Sequence, residues 1–159
     1  MPVTLSGSCR CGAVSFTVAS HAPVPYQRCY CSICRKTGGG GGYAVNISAI
    51  SDTLSVEGEA ALGTYRAEIE GEVSKGERRY CTRCATALWL FDPRWPELLH
   101  PFASAIDSAL PVPPSLVHLM LDFKPDWVIA EVGPEGETYA RYPEKSLEAW
   151  HREKGLWVD

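Results

Sequence analysis

Seven cysteines in three tight groups constrain this chain more than any other feature. Cys9 and Cys11 form a C-x-C. Cys29, Cys31 and Cys34 form a C-x-C-x-x-C, and Cys81 and Cys84 a C-x-x-C. Cysteines two apart on an extended chain point to the same side, and cysteines three apart across a tight turn can do so too. Each group is therefore a natural chelating unit. An odd count leaves one cysteine over in any disulfide framework, and a C-x-C pair closes a strained ring. Tetrahedral thiolate cages built from close pairs are the preferred environment of zinc. The spacing predicts two metal sites per chain, sharing the cysteines as four and three. Cys9, Cys11, Cys81 and Cys84 would make a closed cage. Cys29, Cys31 and Cys34 would make a three-point tripod with one position free. A swapped pairing, with Cys29 and Cys31 in the cage, stays open. So does a fourth ligand to the tripod from His100, His118 or an acidic side chain. Closed sites are structural, whereas open ones can admit water or substrate.

Around the cysteines the chain reads as mainly β. Val14, Phe16 and Val18 alternate with small or polar residues, as do Tyr43, Val45 and Ile47. Leu54 and Val56 begin a run that stops at Gly58. Thr86 to Phe91 is apolar on both faces and predicts a buried strand, ended by Pro93 and Pro96. Val117 to Phe123 alternates, and Trp127 to Val132 is a further candidate strand closed by Gly133-Pro134. Only Pro143 to Lys154 predicts helix. Proline suits its first turn, Leu147 and Trp150 share a face, and Gly155 stops it.

The 159 residues are one domain's worth, spanning 1–159 with no linker. A formal net charge of -4 argues against nucleic acid or an anionic membrane surface as the main partner. No run approaches the ~20 apolar residues of a membrane helix. The first eight residues lack the basic and apolar regions of a secretory signal, so the expected location is cytoplasmic. The five glycines Gly38 to Gly42 lack the ending of a phosphate-binding loop. They read as a flexible loop and a candidate wall of a site beside the tripod.

The motifs in combination resemble a known family. Gly7-Ser8-Cys9-Arg10-Cys11-Gly12-Ala13-Val14 is similar to G-x-C-x-C-G-x-V. Cys29 to Gly38 is similar to C-x-C-S-x-C-R-K-x-x-G, and Tyr80 to Leu88 to F-C-x-x-C-G-T-x-L. These are signatures of the glutathione-dependent formaldehyde-activating enzymes, which include centromere protein V. The likeness covers about residues 5–130. It implies a β-tent zinc-binding fold of short coiled sheets. It implies structural zinc on Cys9, Cys11, Cys81 and Cys84, and catalytic zinc on Cys29, Cys31 and Cys34. The implied activity is that of a carbon–sulfur lyase joining glutathione to formaldehyde as S-hydroxymethylglutathione. Ala85 departs from the family's glycine, and a left-handed turn there would be strained.

A thiol bound at the tripod would enter deprotonated and remain nucleophilic towards a small carbonyl. Arg35 and Lys36 could hold a carboxylate of that thiol, with Gly38 and Gly39 closing beside it. The rival reading is a non-catalytic zinc module of the same fold that binds another protein. Whether the tripod is open separates the two.

Overall fold

The structure is a computed structural model describing residues 1–159. It contains fourteen short strands and two helices. In chain order these begin with β1 (Val3–Ser8), β2 (Ser15–Ser20), β3 (Gln27–Cys29) and helix α1 (Ser32–Gly38). Then come β4 (Ala44–Val45), β5 (Ala49–Ile50), β6 (Ser55–Glu57), β7 (Leu62–Tyr65), β8 (Glu68–Ile69) and β9 (Glu72–Val73). The last are β10 (Glu77–Cys81), β11 (Ala87–Phe91), β12 (Leu98–Pro101), β13 (Val117–Leu119), β14 (Glu137–Thr138) and helix α2 (Leu147–Glu153). The class is mainly β, as the alternating runs predicted.

Three sheets and one small hairpin are formed, with strand orders β1-β2-β6, β5-β12-β11-β10-β7, β14-β13-β3-β4 and β8-β9. The first two share the main core. Leu5, Val14, Phe16 and Val18 from one side meet Leu88, Trp89 and Leu99 from the other. Cys9 and Cys81 are buried in the same cluster. Alternation thus does what it promised, since a period of two sends every second side chain to one face. Leu88 and Trp89 are both buried, which fits the two-sided apolar character of their strand. The third sheet is mixed. β3 runs parallel to β13 and antiparallel to β4, so Cys29 lies opposite both Leu119 and Ala44.

Three expectations need correction. Trp127 to Val132 is not a strand. Trp127 and Ile129 are 69% and 81% exposed, and β13 already has β3 and β14 on its two edges. Without a free edge there, the segment turns instead. The Val128 amide donates to the Pro125 carbonyl, and the Lys124 ammonium donates to the Val128 carbonyl at 2.6 Å. The strand from Val117 ends at Leu119, because Met120 adopts φ 61 and a 3-10 turn follows over Leu121–Phe123. The C-terminal helix begins at Leu147, not near Pro143. Ser146 is its N-cap, accepting from the Ala149 amide, which outweighs the preference of proline for a first turn.

That helix docks through Trp150, which is fully buried and stacked on Tyr26 at 3.6 Å between ring centroids. His151 tightens the attachment. Its Nε2 accepts from the Val24 amide while its Nδ1 faces the Leu147 carbonyl. No helix is long and apolar enough to cross a membrane.

Candidate metal centres and the adjoining cleft

All seven cysteines are free thiols. They gather into the two groups that spacing predicted, one of Cys9, Cys11, Cys81 and Cys84 and one of Cys29, Cys31 and Cys34. Within each group the sulfurs all lie within 4.8 Å of one another. Neither the swapped pairing nor a histidine in the tripod occurs. His118 is engaged on both ring nitrogens, by the Tyr30 hydroxyl at 2.7 Å and the Glu131 carbonyl. His100 faces the Ile47 carbonyl.

The four-cysteine group forms where two chain reversals meet. Cys9 and Cys11 follow β1, and the Gly12 amide donates back to the Cys9 carbonyl. Cys81 ends β10, and the Ala85 amide donates back to the Cys81 carbonyl at 2.8 Å. The Cys9 sulfur is 3.6 Å from that of Cys11, which is 3.8 Å from that of Cys81. Four sulfurs around one zinc at the usual bond length stand ~3.8 Å apart. Backbone amides also point at the sulfurs, that of Val14 at Cys9 and that of Arg83 at Cys81. Thr86, through its hydroxyl and its backbone amide, draws the Cys84 thiol down to about 5. Spacing, amide donors and an easily ionised sulfur fit a thiolate-bound cation. Both cysteine groups could hold a metal ion.

Ala85 is strained as its sequence position suggested. It adopts φ 64, matching Gly12 at φ 80 in the other reversal. Left-handed backbone costs an L-residue about 1–2 kcal/mol, part of which a glycine gives back as unfolded-state entropy. Ala85→Gly is expected to stabilise the protein by roughly 0.5–1 kcal/mol, raising the melting temperature by about 2 °C. A thermal melt checks this, and a lower melting temperature would show that the Ala85 methyl group contributes packing that outweighs the strain.

The tripod is built differently. Cys29 is the last residue of β3 and is buried. Cys31 is the N-cap of α1, its sulfur accepting from the Cys34 amide at 3.3 Å. Cys34, one turn into the helix, is buried as well. One short segment thus presents three sulfurs by passing from strand to helix. The three sulfurs do not ionise with equal ease. The neighbouring Cys29 and Cys34 thiols hold Cys31 well below the ordinary thiol range, and the Arg78 charge helps. The same crowding, added to burial, pushes Cys29 well up. A cation bound to all three would relieve that competition.

Beside the tripod runs a cleft in two adjoining parts, with volumes of about 390 and 330 Å³. Thr37, Ala85, Ala87 and Phe102 belong to both parts. Lys36, Gly38, Gly39 and Gly40 line the first, and Tyr65, Arg78, Arg79 and Tyr80 the second. One wall is therefore the end of α1 after the tripod, and the opposite wall is the turn after Cys84. No tripod cysteine lines either part; Cys31 is half-exposed, and Cys29 and Cys34 are buried. Part of the glycine run is sterically required. A Cβ on Gly39 would lie 1.9 Å from the Tyr43 carbonyl oxygen, and Gly42 has φ 91 against Val128. Gly40 meets nothing within 4 Å. Arg35 lines neither part, and its Nε is buried without a partner.

Sequence reasoning missed Arg78. In the sequence it is only one of three nearby arginines, with Arg79 and Arg83. The structure separates the first two: Arg78 reaches the Cys34 sulfur, while Arg79 packs over the Trp89 ring and donates to the Gly63 carbonyl. The nearest sequence signal is its place three residues before Cys81, and strand geometry alone does not say which cysteine it meets.

The model of the family described as "Glutathione-dependent formaldehyde-activating enzyme" matches residues 4–119. A protein of Halomonas elongata named "Putative glutathione-dependent formaldehyde-activating enzyme" is 60% identical over 152 residues, covering 96% of this chain and 97% of that protein. A crystal structure of a Rhodobacter sphaeroides protein shares the fold, with a TM-score of 0.54 at 24% identity over 67% of this chain and 91% of that one. The family match includes every cysteine of both groups, and the Halomonas relative is similar along nearly the whole chain. The chain belongs to the glutathione-dependent formaldehyde-activating enzyme family.

Proposed function

We propose that the protein is a zinc-dependent carbon–sulfur lyase that joins a small-molecule thiol, glutathione by the family's name, to a small carbonyl such as formaldehyde. The observation that carries this is a three-sulfur cluster with no fourth protein ligand, set against a cleft that bears cations. Cys9, Cys11, Cys81 and Cys84 hold a structural zinc, and Cys29, Cys31 and Cys34 hold a second. When bound at the tripod, zinc supplies an open position that favours an incoming thiol in its ionised form.

The chain's own groups do the rest. The Lys36 ammonium, exposed on the cleft wall, attracts a carboxylate of the thiol, and Arg35 adds positive charge behind it. Gly38 and Gly39 line the same part of the cleft as Lys36 and offer their backbone to the ligand. Phe102 gives the cleft an apolar floor that excludes water from the small carbonyl. In the reaction the thiol sulfur bonds to the carbonyl carbon and the C=O π bond opens. The proton lost by the thiol ends on the carbinol oxygen. Holding both reactants in one cleft converts a bimolecular encounter into a near-unimolecular step.

Exchange NMR with isotopically labelled formaldehyde and glutathione tests this. The zinc-loaded protein should accelerate formation of the S-hydroxymethyl adduct, and Cys34→Ser should abolish the acceleration. A zinc-loaded wild type that leaves the uncatalysed rate unchanged would contradict the enzyme reading and favour the protein-interaction module.

A further inference from the structure

Arg78 occupies a position that the proposed chemistry does not yet use. Its Nη1 and Nη2 both lie 3.7 Å from the Cys34 sulfur, and Nη1 also reaches the Thr37 hydroxyl at 3.5 Å. The Asn46 Nδ2 approaches the same sulfur at 3.8 Å, while its Oδ1 is buried without a partner. Three N–H-bearing nitrogens thus converge on one sulfur of the tripod. Arg78 forms no ion pair with any carboxylate; its neighbour Glu77 is taken by Arg66. Its place is rigid, because β10 is an inner strand in which Arg78 lies opposite Tyr65 of β7 and Leu90 of β11. The same strand ends at Cys81, so one strand carries a cysteine of the closed group and the cation that meets the other group.

Charge arithmetic gives this arrangement a purpose. A divalent cation on three thiolates leaves one negative charge, which repels an incoming thiolate. A guanidinium against one sulfur cancels it. Two nitrogens of the planar guanidinium also restrict where that sulfur can point, as partners of metal ligands do. We propose that Arg78, with Asn46 beside it, is a positioning residue of the tripod, fixing the Cys34 sulfur and neutralising the cluster so that an anionic thiol can approach. This rests on the reading of the tripod as a thiol-binding metal site.

The test uses the full chain loaded with isotopically enriched cadmium, whose NMR spectrum should show one resonance per cysteine group. Arg78→Gln should move the tripod resonance and leave that of the closed group in place. It should also weaken glutathione binding to the zinc protein about 10- to 100-fold, the span expected when a hydrogen bond to a charged group is lost. Arg78→Lys keeps the charge and should recover most of that affinity, which a merely structural role would not predict. Asn46→Ala should move the same resonance with little change in affinity, and it carries the test if Arg78→Gln does not fold. An unmoved tripod resonance in whichever of Arg78→Gln and Asn46→Ala folds would overturn the proposal. The resonance is read without thiol, so a wild type that binds no glutathione would defeat the functional reading and leave this test intact.

Discussion

Cys81→Ser is expected to unfold the protein at temperatures where Cys34→Ser remains folded. Cys81 is fully buried within the main core, beside Leu88 and Trp89, at the end of an inner strand. Its sulfur also ties the turn after Cys84 to the C-x-C turn after β1, which is distant in sequence. Metal bound in such a closed site is folding energy, because the unfolded chain does not preorganise the four ligands. Losing it should cost on the order of 4 kcal/mol or more, out of the 5–15 kcal/mol that usually separates native from unfolded protein. The melting temperature should fall by about 10 °C or more. Cys34 is also buried, but its cluster is small, with Cys29, Ala44, Phe102 and Leu119. Its loss should cost about 2 kcal/mol and remove one metal ion. Melts followed by circular dichroism, with metal content measured alongside, compare the two. A more damaging Cys34→Ser would reverse the assigned roles.

S-methylglutathione should bind the zinc-loaded protein at least about 100-fold more weakly than glutathione. The two ligands share their carboxylates, peptide bonds and nearly all of their shape. Only one can ionise at sulfur, and coordination selects the ionised form. Glutathione binding should therefore release a proton, visible by calorimetry in buffers of different ionisation enthalpy. The S-methyl ligand should release none. Equal affinities would mean that the carboxylates alone anchor the ligand, through Lys36 and its neighbours, and that the tripod is not its point of attachment.

The cysteine groups were legible in the sequence because chelation is local. A C-x-C on extended chain and a C-x-x-C across a turn fix the relative directions of their sulfurs before any tertiary structure exists. Ala85 was legible through the resemblance, which puts a glycine at that position, and its φ of 64 is the left-handed backbone a glycine would favour. The buried strand around Leu88 and Trp89 was visible in its two-sided apolarity. What failed depended on partners. Trp127 to Val132 has a strand's pattern but joins no sheet, and β13 is already flanked by β3 and β14. Met120 breaks an alternating run through a backbone twist that its residue type does not announce. Arg78 was missed because nothing local shows that β10 passes the tripod on its way to Cys81. Asn46 gave no signal at all, since it reaches Cys34 only through the pairing of β3 with β4 and the bridge to Phe102. Long-range placement is the information that periodicity omits.

The central claim is that seven thiolates serve two metal ions, four to one and three to the other. Native mass spectrometry of the protein purified without chelator, followed by alkylation and peptide mapping, measures this directly. Two zinc ions per chain are predicted, with all seven cysteines protected and excess chelator exposing Cys29, Cys31 and Cys34 before the other four. A reproducible single zinc, with Cys29, Cys31 and Cys34 alkylated from the outset, would contradict the account.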